Sequence, residues 1–88
     1  MNNSEIRILI DYAFRCNGVE CPCIRIKWSN RMTRTMGYAK RIGKEWTLQF
    51  SRPIWSRATR EQMKENVIHE ACHVVAWCIN NSASAHGK

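Results

Sequence analysis

The order of apolar and polar residues predicts a helix near the start of the chain. Apolar residues occur at i, i+3, i+4, i+7 and i+8 from Ile6, and charged residues lie between them. This spacing places the apolar side chains on one stripe of an α-helix. Ser4 is the predicted N-cap, and Asn17-Gly18 is the predicted stop signal.

From position 23 the apolar period changes to two, which is typical of half-buried strands. Residues 23–28 alternate between apolar side chains on one face and basic side chains on the other, with Trp28 on the apolar face. A weaker strand is predicted at residues 37–42, and residues 46–51 alternate again. Because the connections are short, we expect an antiparallel meander of three strands.

A long second helix is predicted after Pro53, which ends the sheet region. Thr59 and Gln62 have the spacing of a capping box, and the helix should end at residue 79 or 80. The tail, residues 80–88, is polar and is predicted to be a loop. The fold class is therefore α+β, with an N-terminal helix, a three-stranded antiparallel sheet and a long helix in a single domain, residues 1–88.

Composition limits the partners and the cellular compartment. The 14 basic and 7 acidic residues give a net charge of +7, which favours nucleic acid first and an anionic membrane surface second. No apolar run reaches transmembrane length, and the first residues do not resemble a signal peptide. Without such a peptide, the odd number of cysteines indicates reduced thiols and an intracellular location, in the cytoplasm or the nucleoid or nucleus.

The basic residues of the predicted sheet are candidates for phosphate contacts, and Trp28 or Tyr38 is available to stack on an unpaired base. The candidate nucleic-acid-binding residues are Arg25, Lys27, Lys40 and Arg41. A solvated sheet face explains the same residues equally well, and charge alone does not separate DNA from RNA or acidic protein. Trp28 shares the apolar face and is expected to be a core residue.

The segment His69-Glu70-Ala71-Cys72-His73 is the strongest chemical signal in the chain. Histidines four residues apart on a helix project from one face, so their ring nitrogens can reach one zinc ion about 2 Å away. Glu70 is suited to taking a proton from a water molecule that the metal activates. Apolar residues flank the motif, so burying its polar side chains without a metal would be costly.

His86 is the third histidine and a candidate third zinc ligand, because catalytic zinc usually has three protein ligands. Four alternatives stay open. The first is a pair of histidines that are hydrogen-bonded or solvated without metal, and the second is a structural zinc in a nucleic-acid- or protein-binding module. The third is a cysteine nucleophile, and the fourth is hydrolysis of a bond other than a peptide bond. The spacing of Cys16, Cys21 and Cys23 matches no common structural zinc site.

The sequence resembles the SprT-like family of zinc metalloproteases. The resemblance rests on the motif helix, on the later pair His86-Gly87, and more softly on the strand segments. It implies a minimal zincin-like domain in which His69, His73 and His86 bind zinc and Glu70 is the general base. It also implies a protein substrate, with DNA as a possible partner.

The chain departs from the family pattern at its C-terminal end. Family domains continue past the His-Gly pair, usually with an aromatic residue and a further helix, whereas this sequence stops at Lys88. We therefore expect a domain truncated after the His-Gly pair. A ligand so close to a free end is prone to fraying, which affects the third ligand first.

Overall fold

The computed structural model describes the backbone of residues 1–87 and the side chains of residues 1–80. The elements, in chain order, are α1 (Asn3–Cys16), β1 (Ile24–Ser29), β2 (Gly37–Ile42), β3 (Glu45–Ser51), α2 (Arg52–Trp55) and α3 (Arg60–Gly87). The predicted helices and strands are all present, and the short helix α2 is additional. None of the described helices is long and apolar enough to cross a membrane.

The N-cap of helix α1 lies two residues earlier in the chain than predicted. Its N-cap is Asn2, whose side-chain oxygen accepts the Glu5 N–H at 2.9 Å, while the Glu5 carboxylate accepts the Asn2 N–H at 3.4 Å. Ser4 has Arg7 three residues later and so cannot form this reciprocal pair, which explains why the prediction of Ser4 was wrong. The predicted stop at Asn17-Gly18 is confirmed, with Asn17 as the C-cap.

The sheet is mixed, so the prediction of an antiparallel meander was wrong. The strand order is β1-β3-β2, with β1 parallel and β2 antiparallel to the central strand β3. Residues 30–36 connect β1 to β2 and are long enough to pass the end of β3. Ser51 holds this crossover segment, because its buried hydroxyl donates to the Met32 carbonyl at 2.5 Å.

The two faces of the sheet differ in what covers them. Helix α1 packs on α3, and α3 packs on β2, so the core lies between the helices and one sheet face. The buried residues of this core include Ile6, Ile10 and Phe14 from α1, Trp46, Leu48 and Phe50 from β3, and Val67, Ala71 and Val74 from α3. The opposite sheet face, called the outer face below, carries the exposed side chains of Arg25, Lys27 and Lys40.

Helix α3 has the predicted start and a later end. The Thr59 hydroxyl accepts the Gln62 N–H at 3.1 Å and the Gln62 side chain accepts the Thr59 N–H at 2.9 Å, as a capping box requires. The helix continues to Gly87, where a loop from residue 80 was predicted. No glycine or proline occurs between Pro53 and Gly87, so the chain has no strong helix breaker at residue 80.

Candidate metal centre

His69 and His73 lie one turn apart on α3, and their rings converge. The two Nε2 atoms are 3.1 Å apart, the ring centroids are 4.6 Å apart, and the ring planes are nearly perpendicular at 86°. Both side chains are exposed. Two imidazole nitrogens therefore point at one solvent-accessible position.

This pair fits a zinc ion. Zinc–nitrogen distances of about 2.0–2.1 Å with a tetrahedral angle put two ligand nitrogens roughly 3.4 Å apart. The observed 3.1 Å needs an adjustment of a few tenths of an ångström, or an angle of about 100° at the metal. An N–H···N hydrogen bond between neutral rings has a similar length, so the bare pair is also satisfied without metal.

Glu70 sits one position round the helix and points inward. Glu70 is 6% exposed, in contrast to the two histidines, so of the polar side chains of the motif that were expected to be buried, only that of Glu70 is buried. Its carboxylate accepts the backbone N–H of Ala39 in β2. Burial raises the pKa of Glu70, and the nearby His69 and His73 and the Ala39 amide act in the opposite direction.

The third predicted ligand, His86, lies outside the residues whose side chains are described. Within residues 1–80, no three His, Cys, Asp or Glu side chains are grouped so that they could hold a metal ion. The described part of the site therefore consists of the two histidines and the inward carboxylate.

The outer edge of β2 runs beside this site. In β3, the backbone N–H of Trp46 donates to the carbonyl of Cys23 on the β1 side, and the backbone N–H of Ser51 donates to the carbonyl of Met36 on the β2 side. Because backbone groups alternate along a strand, the N–H and C=O groups of Gly37, Ala39 and Arg41 point away from β3. The bond from Ala39 to Glu70 agrees with this assignment.

A groove adjoins the metal position along α3. It has a volume of about 520 Å³ and is lined by Met36, by residues of α2 and the turn after it, and by a stripe of α3 that ends at His69. Pockets of about 300–1,000 Å³ are the usual size for ligand sites. Asn66 forms part of the wall, and its buried Oδ1 atom has no hydrogen-bond partner.

The four basic residues predicted to bind nucleic acid do not share one face. Strand register aligns Arg25 with Thr47 and Thr47 with Lys40, so these residues form a row across the outer face, and Lys27 lies in the next row. Arg41 aligns with Trp46 on the opposite face. Its guanidinium carbon lies 4.7 Å from the ring centroid of Trp77.

The aromatic side chains proposed for base stacking also have separate roles. Trp28, expected to be a core residue, is only half-buried and packs against the core. It lies edge-on to Trp55 at 5.0 Å, and its indole N–H donates to the side-chain oxygen of Asn3. Tyr38 is 39% exposed on the outer face, and its hydroxyl donates to the Gln49 side chain at 2.6 Å. Only Tyr38 is available to a ligand on that face.

The cysteines are free thiols. Cys72 is exposed although apolar residues surround it in the sequence, because its position on α3 turns it away from the buried stripe that contains Ala71 and Val75. Cys78 is half-buried, and burial raises the pKa of its thiol. Neither histidine of the motif has a cysteine as its ring partner; each has the other histidine.

Sequence reasoning missed the residues that support the site from neighbouring elements. Ala39 acts through its backbone, which leaves no trace in side-chain type. Gly37 did leave a signal, because a Cβ atom there would lie 2.7 Å from Asn66 Oδ1, so only glycine allows this close approach of β2 to α3. Arg57 gave no signal, since it lies in a short turn among other basic residues.

Comparisons with known proteins find related sequences. The germ cell nuclear acidic protein of Homo sapiens is 28% identical over 75 aligned residues, which cover 73% of this chain and 10% of the human protein. No solved structure matches the chain significantly. The profile of the SprT-like family matches residues 7–88, nearly the whole sequence. The chain therefore belongs to the SprT-like family.

Proposed function

We propose that this chain is a zinc-dependent peptidase that hydrolyses peptide bonds in proteins. The observation that carries the proposal is the pair of exposed Nε2 atoms 3.1 Å apart beside the inward carboxylate of Glu70. His69 and His73 would hold the metal, together with His86 as the family pattern implies. Zinc, when bound, polarises a carbonyl group and lowers the pKa of a water molecule.

The protein side chains supply the proton transfer. Glu70 is held by the Ala39 amide and lies next to both histidines, so it accepts a proton from the attacking water and later passes it to the leaving amine. Fixing the carboxylate in the folded state avoids the entropy cost of orienting it during the reaction.

The edge of β2 supports a peptide as the substrate. The outward groups of Gly37 and Arg41 and the outward C=O of Ala39 offer backbone hydrogen bonds to an extended chain, as in strand addition. This edge lies directly beside Glu70, because Ala39 touches that carboxylate. An extended peptide bound there passes the metal position.

Zinc content tests the first half of the proposal. We expect about one bound zinc per chain after zinc loading and dialysis, measured by atomic emission, and loss of that zinc in His69→Ala and His73→Ala. Cys72→Ser is the matched control, because Cys72 is exposed on the same turn and is assigned no role. Zinc retained by both histidine variants would refute the proposed ligands.

Hydrolysis tests the second half. Glu70→Gln should abolish cleavage of an unfolded protein substrate and leave zinc content and circular dichroism unchanged, since the amide oxygen of Gln still accepts the Ala39 N–H. Glu61→Gln, in the exposed first turn of α3, is the control and should keep full activity. Equal cleavage by Glu70→Gln and wild type would exclude Glu70 as the general base.

A second candidate function is binding of nucleic acid through the outer face, with or without catalysis. It is favoured by the row of Arg25 and Lys40, by the neighbouring Lys27, and by the absence of a covering helix on that face among the described residues. Arg25 is partly engaged, because its Nε lies 3.5 Å from the Glu45 carboxylate. Arg41 is left out of this surface, since it faces the other way.

Salt dependence distinguishes this binding from general attraction to a basic protein. Replacing Arg25, Lys27 and Lys40 with Gln should reduce the slope of log affinity against log salt by about 2–3, because each lost phosphate contact contributes about 0.9. A double replacement of Lys44 and Lys64, which lie off the outer-face rows, is the control. An unchanged slope in the triple variant would reject the surface.

The name of the human relative describes a nuclear and acidic protein. We propose an intracellular location for this chain too. Fractionation of cells that express the tagged chain tests this location.

A further inference from the structure

The groove beside His69 contains a cation with no assigned partner. Arg57 lies in the turn between α2 and α3 and lines the groove opposite the α3 wall. Within residues 1–80 the ion pairs are Arg25 with Glu45 and Arg60 with Glu5, so the Arg57 guanidinium forms none. The same groove is lined at its other end by His69, one of the two histidines of the metal position.

The rest of the groove is suited to an apolar side chain. Met36, Ile54 and Ala58 are half-buried and present carbon atoms to the cavity. Gln62 also lines it, but its side-chain oxygen is used by the Thr59 cap. The groove thus combines an apolar floor with one available guanidinium.

An acidic group is the ligand that this arrangement favours. A guanidinium binds a carboxylate through two parallel hydrogen bonds, which no neutral side chain provides. Glu65, on the α3 wall, is the one acidic residue lining the groove and forms no ion pair with Arg57. The net charge of +7 also draws acidic segments towards the protein.

We propose that Arg57 is a specificity-determining residue that binds an acidic side chain of the peptide substrate, next to an apolar side chain seated on Met36, Ile54 and Ala58. This inference rests on the proposed peptidase function, because it treats the groove as part of the substrate path. It names a substrate class: peptides with an acidic residue adjoining an apolar one.

Binding measured without hydrolysis tests the proposal. The protein is zinc-loaded Glu70→Gln, and the probes are fluorescein-labelled ten-residue peptides with a central Leu. Each peptide of the series carries one Glu at a different position, and a matched peptide carries Gln at that same position. At one position we expect the Glu peptide to bind about fivefold more tightly, equivalent to about 1 kcal/mol.

Variants assign that preference to Arg57. Arg57→Gln should remove the preference, Arg57→Lys should keep part of it, and Lys44→Gln should leave it unchanged because Lys44 lies in the β2–β3 turn. Equal binding of Glu and Gln peptides at every position would overturn the proposal. So would no binding of any peptide, or a preference that survives in Arg57→Gln.

Hydrolysis of the same peptides separates this inference from the peptidase function. In the protein with Glu70 intact, Arg57→Gln should raise the KM for the preferred Glu peptide about fivefold and leave its kcat unchanged. The KM and kcat for the matched Gln peptide should not change. Cleavage without an Arg57-dependent preference would refute the inference alone. Arg57-dependent binding of peptides that are never cleaved would refute the peptidase function and leave the carboxylate site.

Discussion

Gly37 controls how closely β2 approaches helix α3, and Gly37→Ala tests this contact. A Cβ atom at this position would lie 2.7 Å from Asn66 Oδ1 and 2.8 Å from Phe50 Cδ1. Real Cβ atoms are essentially never found so close to another heavy atom, so both neighbours or the strand must move. Strand β2 moves least easily, because the backbone N–H of Ala39 is hydrogen-bonded to the Glu70 carboxylate.

The two neighbours differ in how readily they yield. Asn66 Oδ1 has no hydrogen bond to lose, so a small shift of its amide costs little. Phe50 is 0% exposed and packs on Trp55 at a centroid distance of 4.9 Å, so moving its ring disturbs the core. Most of the strain therefore arises at Phe50.

The expected loss of stability follows from two opposing effects. Overpacking a core costs about 1–3 kcal/mol. Replacing glycine restricts the unfolded chain and returns about 0.4–1 kcal/mol. The net prediction is a loss of about 1–2 kcal/mol in the free energy of unfolding, or roughly 4–16 °C in Tm for a chain of this size.

Urea unfolding followed by tryptophan fluorescence measures this loss. In an Asn66→Ala background the cost of Gly37→Ala should become smaller but stay above zero, because the contact with Phe50 remains. Gly43 is the control: it has open space and a φ of +61°, so Gly43→Asn should be tolerated better than Gly43→Ala. An unchanged or higher stability of Gly37→Ala would refute the steric argument.

Three further substitutions test the packing around the site. Leu48→Ala, at a fully buried position of the central strand, should lower the free energy of unfolding by about 2–5 kcal/mol in thermal melts, and a loss below 1 kcal/mol would contradict its burial. Arg41→Gln removes the cation over Trp77 and should cost about 0.5–1 kcal/mol in the same assay, with no loss if the contact is unimportant. Arg60 lowers the pKa of Glu5, so this ion pair stabilises the fold above the ordinary Glu pKa of about 4.3, and the contribution is lost as pH falls through the lowered value. Between pH 7 and pH 3 wild type should therefore lose more stability than Glu5→Gln, and equal losses would show that the pair contributes nothing.

The strands were predictable from the sequence, but their neighbours were not. Alternation of apolar and polar residues located β1 and β3 to within one residue, and the weaker pattern of residues 37–42, between two turn segments, located β2 at its observed bounds. The same alternation is compatible with parallel or antiparallel pairing. The strand order β1-β3-β2 depends on the path of residues 30–36, which the Ser51 hydroxyl holds at the end of β3 by its hydrogen bond to Met32. Because that hydrogen bond joins distant parts of the chain, the pattern within one segment does not predict it.

The candidate site also has a part that the sequence predicts and a part that it does not. The convergence of His69 and His73 follows from helical spacing alone, and the structure places their nitrogens as that spacing requires. The support of Glu70 by Ala39 and the orientation of Arg41 depend on strand register, which the spacing within one segment does not contain. The basic residues were predicted as one surface because sequence alternation was weak in residues 37–42.

The mixed sheet also predicts an order of folding. Strands β2 and β3 are joined by a two-residue turn, whereas Ile24 pairs with Trp46, which lies 46 − 24 = 22 residues later in the chain. Closing the longer loop costs more entropy, so we expect the hairpin of β2 and β3 to form first and β1 to dock afterwards. In that order, the backbone amide of Ala39 that holds Glu70 is placed by the hairpin before β1 docks. Substitutions in the Gly43 turn should slow folding, while those in β1 should mainly speed unfolding.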